Sequence, residues 1–290
     1  MNSERQLVTY EARDGRAYIT LNRAEKYNAL TFEMIDTLVE HVVVAEKDDD
    51  VRVVIFRAEG KNFSAGHDLS QVDSAYGMSG QKGERRPSQR IRLHADKAHV
   101  DQFRQLFYCM KPTMALIRGH CVGAGLHLVE TMDLAIASTS ARIGHPEQKM
   151  ALAGAAYMTA LNILAAGPKK ARELLLIAEQ LTPAEAVTMG LVNKVVPDEE
   201  LESAGEEWAE RIVRLPRDAI AIGKAATHLA LDSLGMSSQF IQGYITHALG
   251  TNIRYEADEL NFAKARRDKG VRSAVHTRED RYEEARQKSE

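Results

Sequence analysis

The chain has 290 residues, 44% hydrophobic and 27% charged, with a formal net charge of −3. That is enough apolar material for one large domain, or one domain with a helical appendage, and the balance of charge argues against nucleic acid as the main partner. Two cysteines, Cys109 and Cys121, exclude a disulfide framework and fit a reducing, cytoplasmic setting. Both stand in apolar surroundings and read as core residues. No apolar run reaches membrane-spanning length, and the polar residues 1–5 predict no secretory signal.

In chain order, residues 6–11 and 17–21 read as two strands around the turn Arg13-Asp14-Gly15, a hairpin signal. A loop, N-R-A-E-K-Y-N-A-L, spans residues 22–30. Thr31 is placed to cap a helix with Met34, Ile35, Leu38 and Val42 on one face. Residues 51–56, V-R-V-V-I-F, predict a buried strand. The loop G-K-N-F-S-A-G-H-D-L follows at 60–69, where Ala65 and Gly66 would expose backbone N–H groups. Asp68 reads as a cap for a following helix. Residues 71–96 carry Gly77, Gly80, Gly83 and Pro87 among Lys82, Arg85, Arg86, Arg90 and Arg92, the composition of a basic loop leading into a helix near residue 95.

Residues 119–147 carry the chemistry. They read G-H-C-V-G-A-G-L-H-L and continue to A-R-I-G-H-P-E. Gly123, Ala124 and Gly125 lie between an apolar strand and a helical pattern, so another group can approach the backbone closely. The first amides of that helix have no internal partner, and such amides favour an oxygen gaining negative charge. Two strand-to-small-residue loops about sixty residues apart suggest two donors converging on one oxygen. Glu147 follows as a proton carrier. Further on, Pro168 and Thr182-Pro183-Ala184-Glu185 start helices. Beyond Pro197 strand signals stop and helical patterns cover 201–214, 218–231 and 238–250.

These pieces, with A-x-x-x-G-L-V-x-x-V-V-P at 186–197, resemble the crotonase (enoyl-CoA hydratase/isomerase) superfamily over nearly the whole chain. The resemblance implies an α/β fold, with a ββα spiral core over residues 1–197 and a C-terminal helical trimerisation region over 198–290. It implies an acyl-CoA thioester as substrate, coenzyme A entering with it and no separate cofactor, and a homotrimer or hexamer. The oxyanion hole would use the backbone N–H groups of Ala65 and Ala124. Substrate contacts would come from Arg23, Lys26, Lys61, Gly66, His67, Gly123, Gly125 and Tyr157, with Phe262 and Arg278 more loosely placed. Hydratases of the family use two glutamates. Glu147 matches one position, but His127 stands at the other and Glu130 lies three residues on. His127 is therefore either the partner acid/base or a pocket-lining residue. His67 and His145 flank the region without a fixed role. The histidine spacing matches no metal motif and the resemblance requires no metal. Hydration of a 2-enoyl-CoA is the expected reaction. Double-bond isomerisation, thioester or C–C hydrolysis, and a non-catalytic acyl-CoA-binding protein are the alternatives.

Overall fold

The computed structural model describes residues 5–76, 87–150, 159–250, 253 and 255–287. Strands β1 (Val8–Arg13) and β2 (Arg16–Leu21) form the expected hairpin. Its turn uses left-handed backbone at Asp14 and Gly15, with φ of 51° and 77°, which those residue types accept. Thr31 caps helix α1 (Phe32–Lys47) by accepting from the Met34 N–H at 3.1 Å, and Met34, Ile35, Leu38 and Val42 are buried.

Strand β3 (Val53–Ala58), helix α2 (Gln89–Phe107) and strand β4 (Thr113–Ile117) follow. Next come β5 (His120–Val122), α3 (Ala124–Glu130), β6 (Leu134–Ser138) and β7 (Arg142–Gly144). Helix α2 begins well before residue 95, and its Arg92 is buried with the guanidinium 5.3 Å from the Tyr76 ring centroid. Helix α4 (Thr159–Leu176) breaks at Gly167, where φ is 74° and Pro168 opens its second half. Helix α5 (Pro183–Thr188) carries a complete Thr182–Glu185 capping box and leads to β8 (Lys194–Val196).

The main sheet has the order β1-β2-β3-β4-β6-β8, antiparallel only at the β1–β2 edge. Parallel strands need both faces covered. Helix α1 supplies core residues on one face. On the other, α6 (Leu201–Val213) packs Leu201, Ala204 and Ala209 against Tyr18, Val53, Ile55, Met114, Leu116 and Ile136. A smaller sheet pairs β5 with β7 and is extended by bridges from Ser64 to Cys121 and from Ile143 to Leu181. That small sheet sets the two loops side by side.

The remaining helices are α7 (Arg217–Ser233), α8 (Met236–Gly250), α9 (Phe262–Lys269) and α10 (Val271–Gln287). Met236 and Phe240 of α8 enter the main core, so residues beyond 197 are built into the same body as the sheet. Ile222 and Leu229 of α7, Leu234 just past its end, and Ile241 and Leu249 of α8 are exposed.

Candidate active site

The first loop is fixed from three sides. Asn28, fully buried in a left-handed conformation, donates its amide to the carbonyls of Glu59 at 2.9 Å and Asn62 at 2.8 Å. Its own carbonyl accepts from Ser64 Oγ at 2.8 Å. The Ser64 N–H donates to the His120 carbonyl and its carbonyl accepts from the Val122 N–H, at 2.8 and 3.1 Å. The loops then touch through missing side chains. A Cβ on Gly125 would lie 2.7 Å from Ser64 Cβ, and one on Gly66 would lie 2.9 Å from the Val122 carbonyl oxygen and 3.4 Å from the Ala124 nitrogen.

Ala124 is the first residue of α3, so its N–H has no acceptor within the helix. Ala65 differs from expectation. Its N–H donates to the Tyr27 carbonyl at 2.9 Å and cannot serve a second oxygen well. The physical reason is the left-handed turn at Tyr27 and Asn28, with φ of 53° and 51°, which directs a carbonyl at Ala65. Two residues on, His67 lies between the Gly66 carbonyl, which accepts from the Leu30 N–H, and the Asp68 N–H, which donates to Leu30. The His67 N–H faces away from that pairing and has no acceptor among the described residues. Among residues 63–68 it is the amide left without an acceptor.

Glu147 stands directly against the second loop, its Oε1 3.1 Å from where a Gly123 Cβ would be. Its side chain is 16% exposed, against 4%, 0% and 2% for His127, His145 and Glu130, with which it forms a ring. Glu130 Oε2 pairs with His127 Nδ1 at 3.1 Å, and Glu130 Oε1 pairs with His145 Nε2 at 2.9 Å. On the other side, His127 Nε2 is 3.8 Å from Glu147 Oε1 and His145 Nδ1 is 3.7 Å from Glu147 Oε2. The two imidazoles lie 4.5 Å apart at 30°. The ring is thus tight at Glu130 and open at Glu147.

Its electrostatics follow. Burial alone would raise the Glu130 carboxyl, but the charge of His145 and the bonds from His127 and His145 hold it at about 2. Burial alone would lower His145, but the charge and bond of Glu130, and then Glu147, push it up to about 10. Burial also opposes ionisation of Glu147, and His145 followed by His127 outweighs it, so its pKa is lowered. Glu147 is thus an ionised carboxylate beside the Gly123–Ala124 loop. His67 belongs to a separate contact, its Nε2 3.0 Å from His99 Nε2. Burial, with the charges of His127 and His247, pushes it down to about 3.

Other expected residues fall differently. Arg23 Nη1 is committed to Asp68 Oδ2 at 2.7 Å and the Ala29 carbonyl at 2.9 Å, so it braces the loop. Asp68 makes that ion pair and a local turn, accepting from the Ser70 N–H and hydroxyl at 3.0 and 2.6 Å, and no helix follows it directly. Lys26, in residues 22–30, and Lys61, in residues 60–69, are both exposed. Phe262 and Arg278 are buried; Phe262 packs with Met150, just past Glu147. Tyr157 and most of the basic loop, 77–86, lie outside the described residues. Both cysteines are buried and free, and burial raises both thiols. No helix among the described residues is long and apolar enough to cross a membrane.

Sequence reasoning underrated Glu130 and His145. The i, i+3 spacing of His127 and Glu130 was the available signal. Nothing local announces that His145, after β7, meets the same carboxylate.

The family profile for Enoyl-CoA hydratase/isomerase matches residues 11–242. The rat enoyl-CoA hydratase domain-containing protein 3, mitochondrial, is 30% identical over 237 residues, covering 79% of this chain and 72% of its own. A solved enoyl-CoA hydratase/isomerase from Xanthobacter autotrophicus Py2 is 28% identical with a TM-score of 0.82, over 95% of this chain and 98% of its own. An enoyl-CoA hydratase structure from Mycobacterium smegmatis is 27% identical with the same TM-score of 0.82, over 95% and 94%.

Proposed function

The chain belongs to the enoyl-CoA hydratase/isomerase family, and from that premise we propose that it adds water to a 2-enoyl-CoA, or removes it, through a thioester enolate. The observation that carries this is the Glu147 carboxylate lying against the loop that bears the Ala124 amide. An acyl-CoA carbonyl oxygen sits between the N–H groups of Ala124 and His67, which stabilise it as it becomes enolate-like. One such donor is worth on the order of 3 kcal/mol of barrier. Water, held by Glu147 and His127, adds its oxygen to the β-carbon as Glu147 takes its proton, and Glu147 then delivers that proton to the α-carbon as the enolate collapses to the thioester. Glu130 acts through His127 and His145: it fixes both rings and does not meet the substrate.

A second reading rests on one specific departure. A pair of carboxylates facing the substrate is reduced to Glu147 alone, because Glu130 faces the two imidazoles. Double-bond isomerisation needs only one base, and it is the alternative this site favours. Incubation with saturated, 2-enoyl and 3-enoyl CoA thioesters, read by mass spectrometry and chromatography, separates the two. Water addition to the 2-enoyl substrate that disappears in Glu147→Gln supports hydration. A positional shift with no mass change supports isomerisation, and an unchanged panel removes both. The exposed apolar sides of α7 and α8 support assembly into a homotrimer or hexamer.

A further inference from the structure

We propose that His127 Nε2, His145 Nδ1 and a Glu147 oxygen form a binding site for a divalent transition-metal ion, with zinc as the best fit. The three side chains each bring one ligand atom to within 4.8 Å of the others. Two imidazoles and one carboxylate are a donor set suited to zinc and its first-row neighbours, and too nitrogen-rich for magnesium or calcium.

Three features distinguish this from a chance grouping. Glu130 accepts from His127 Nδ1 and His145 Nε2, so it orients both rings from behind and turns the opposite nitrogen of each toward Glu147. A carboxylate behind a ligating imidazole is the usual supporting arrangement of a metal site. His145 Nδ1 and Glu147 Oε2 are buried atoms with no hydrogen-bond partner, and the His145 side chain is 0% exposed. A buried polar atom left so is costly; the ion takes the place of the proton that the two carboxylates hold on His145 and bridges both atoms. The spacing also fits. Ligand atoms around a tetrahedral ion with bonds of about 2.0–2.2 Å stand roughly 3.3–3.6 Å apart. Here His127 Nε2 is 3.8 Å from Oε1 and His145 Nδ1 is 3.7 Å from Oε2 of Glu147, and the three ligand atoms span up to 4.8 Å, so binding draws them together by about 1 Å as the carboxylate turns one oxygen to the ion. Three protein ligands leave the fourth position of such an ion for water. The site does not depend on the acyl-CoA reading. A cation on Glu147 occupies the oxygen that the acid/base role needs, so the two uses compete.

The test uses the full chain freed of metal with a chelator. Cobalt(II) is titrated in and its visible spectrum recorded, and zinc binding is measured by calorimetry. The expected result is one ion per chain with the intense visible bands of tetrahedral cobalt. Glu147→Gln, isosteric and folded by circular dichroism, should weaken binding at least about 10-fold. Glu130→Gln should weaken it about 10- to 100-fold, as for a group supporting a ligand. Absence of saturable binding, or binding unchanged in Glu147→Gln, overturns the site; the second result would locate the ion at exposed pairs such as His276–Asp280. A weak octahedral spectrum overturns the zinc assignment. Thioester turnover measured in chelator reports separately on the proposed reaction.

Discussion

The His127 ring is held by Glu130 from one turn further along the same short helix, Nδ1 to Oε2 at 3.1 Å, with both side chains almost wholly buried. The proton shared there fixes the tautomer and the tilt of the ring, and so decides what Nε2 offers to Glu147. Replacing the carboxylate by an amide keeps the shape and removes the charge that His145 answers. Glu130→Gln should destabilise the protein by about 3 kcal/mol, the usual cost of breaking a buried ion pair, and reduce kcat with little change in KM. Urea unfolding and steady-state kinetics measure the two effects. A stable variant with unaltered kcat would remove Glu130 from any positioning role.

Ala124→Pro removes one amide at the first position of α3, where proline is tolerated. The protein should fold while turnover falls at least about 100-fold. Ala65→Pro is the contrast. It deletes the bond to Tyr27 and should act on stability, by about 1 kcal/mol or more. Normal turnover in a folded Ala124→Pro protein would end the oxyanion assignment.

Gly125→Ala introduces a methyl 2.7 Å from Ser64 Cβ. The two loops must separate to accept it. The expected loss is about 1–3 kcal/mol of stability, together with a lower kcat because the donors no longer converge. Thermal unfolding alongside an activity assay would show whether the two losses travel together.

Acid should weaken the fold through the His67–His99 contact. His67 is pushed down to about 3 in the folded chain and His99 well below its ordinary value, both chiefly by burial. An unfolded histidine titrates near 6.5. Between those values the unfolded state binds more protons, so stability is present above about pH 6.5 and is lost as pH falls toward 3. For His67 alone the loss between pH 7 and 5 is about 2 kcal/mol at most. The urea midpoint should fall over that interval, and less so in His99→Phe. A flat profile in the parent would contradict a neutral, part-buried His67–His99 pair.

Ile222 and Leu229 on α7 are 69% and 70% exposed, and one helical face of such residues asks for a partner. The parent should scatter light as a trimer or hexamer. Ile222→Glu with Leu229→Glu should shift it toward monomer at micromolar concentration. A monomeric parent would remove the assembly proposal.

What could be read from the chain was local. The Asp14–Gly15 turn, the Thr31 and Thr182 caps and the buried face of α1 each depend on residues within one turn of one another. The two loops were also legible, because each carries its glycines in a short run. The identity of the first donor was not. Whether Ala65 or His67 keeps a usable amide depends on where the Tyr27 carbonyl points, and that is set by left-handed backbone almost forty residues earlier. The histidine–carboxylate ring was hidden for the same reason: Glu130 and His145 lie on different elements, brought together only when β5 and β7 pair.

Helix α9 has a consequence for how the protein is made. Arg266 donates to the Leu69 carbonyl and pairs with Asp73 at 2.6 Å, across 197 and 193 residues of chain, while Phe262 packs on Met150 beside Glu147. During synthesis at roughly 5–20 residues per second, the sheet and both loops leave the ribosome well before those partners exist. The apolar surface around Leu69 and Met150 therefore stays uncovered for at least several seconds on every nascent chain. A ribosome stalled before residue 262 would present a nearly complete sheet with an unsealed site, the form most exposed to proteases and chaperones.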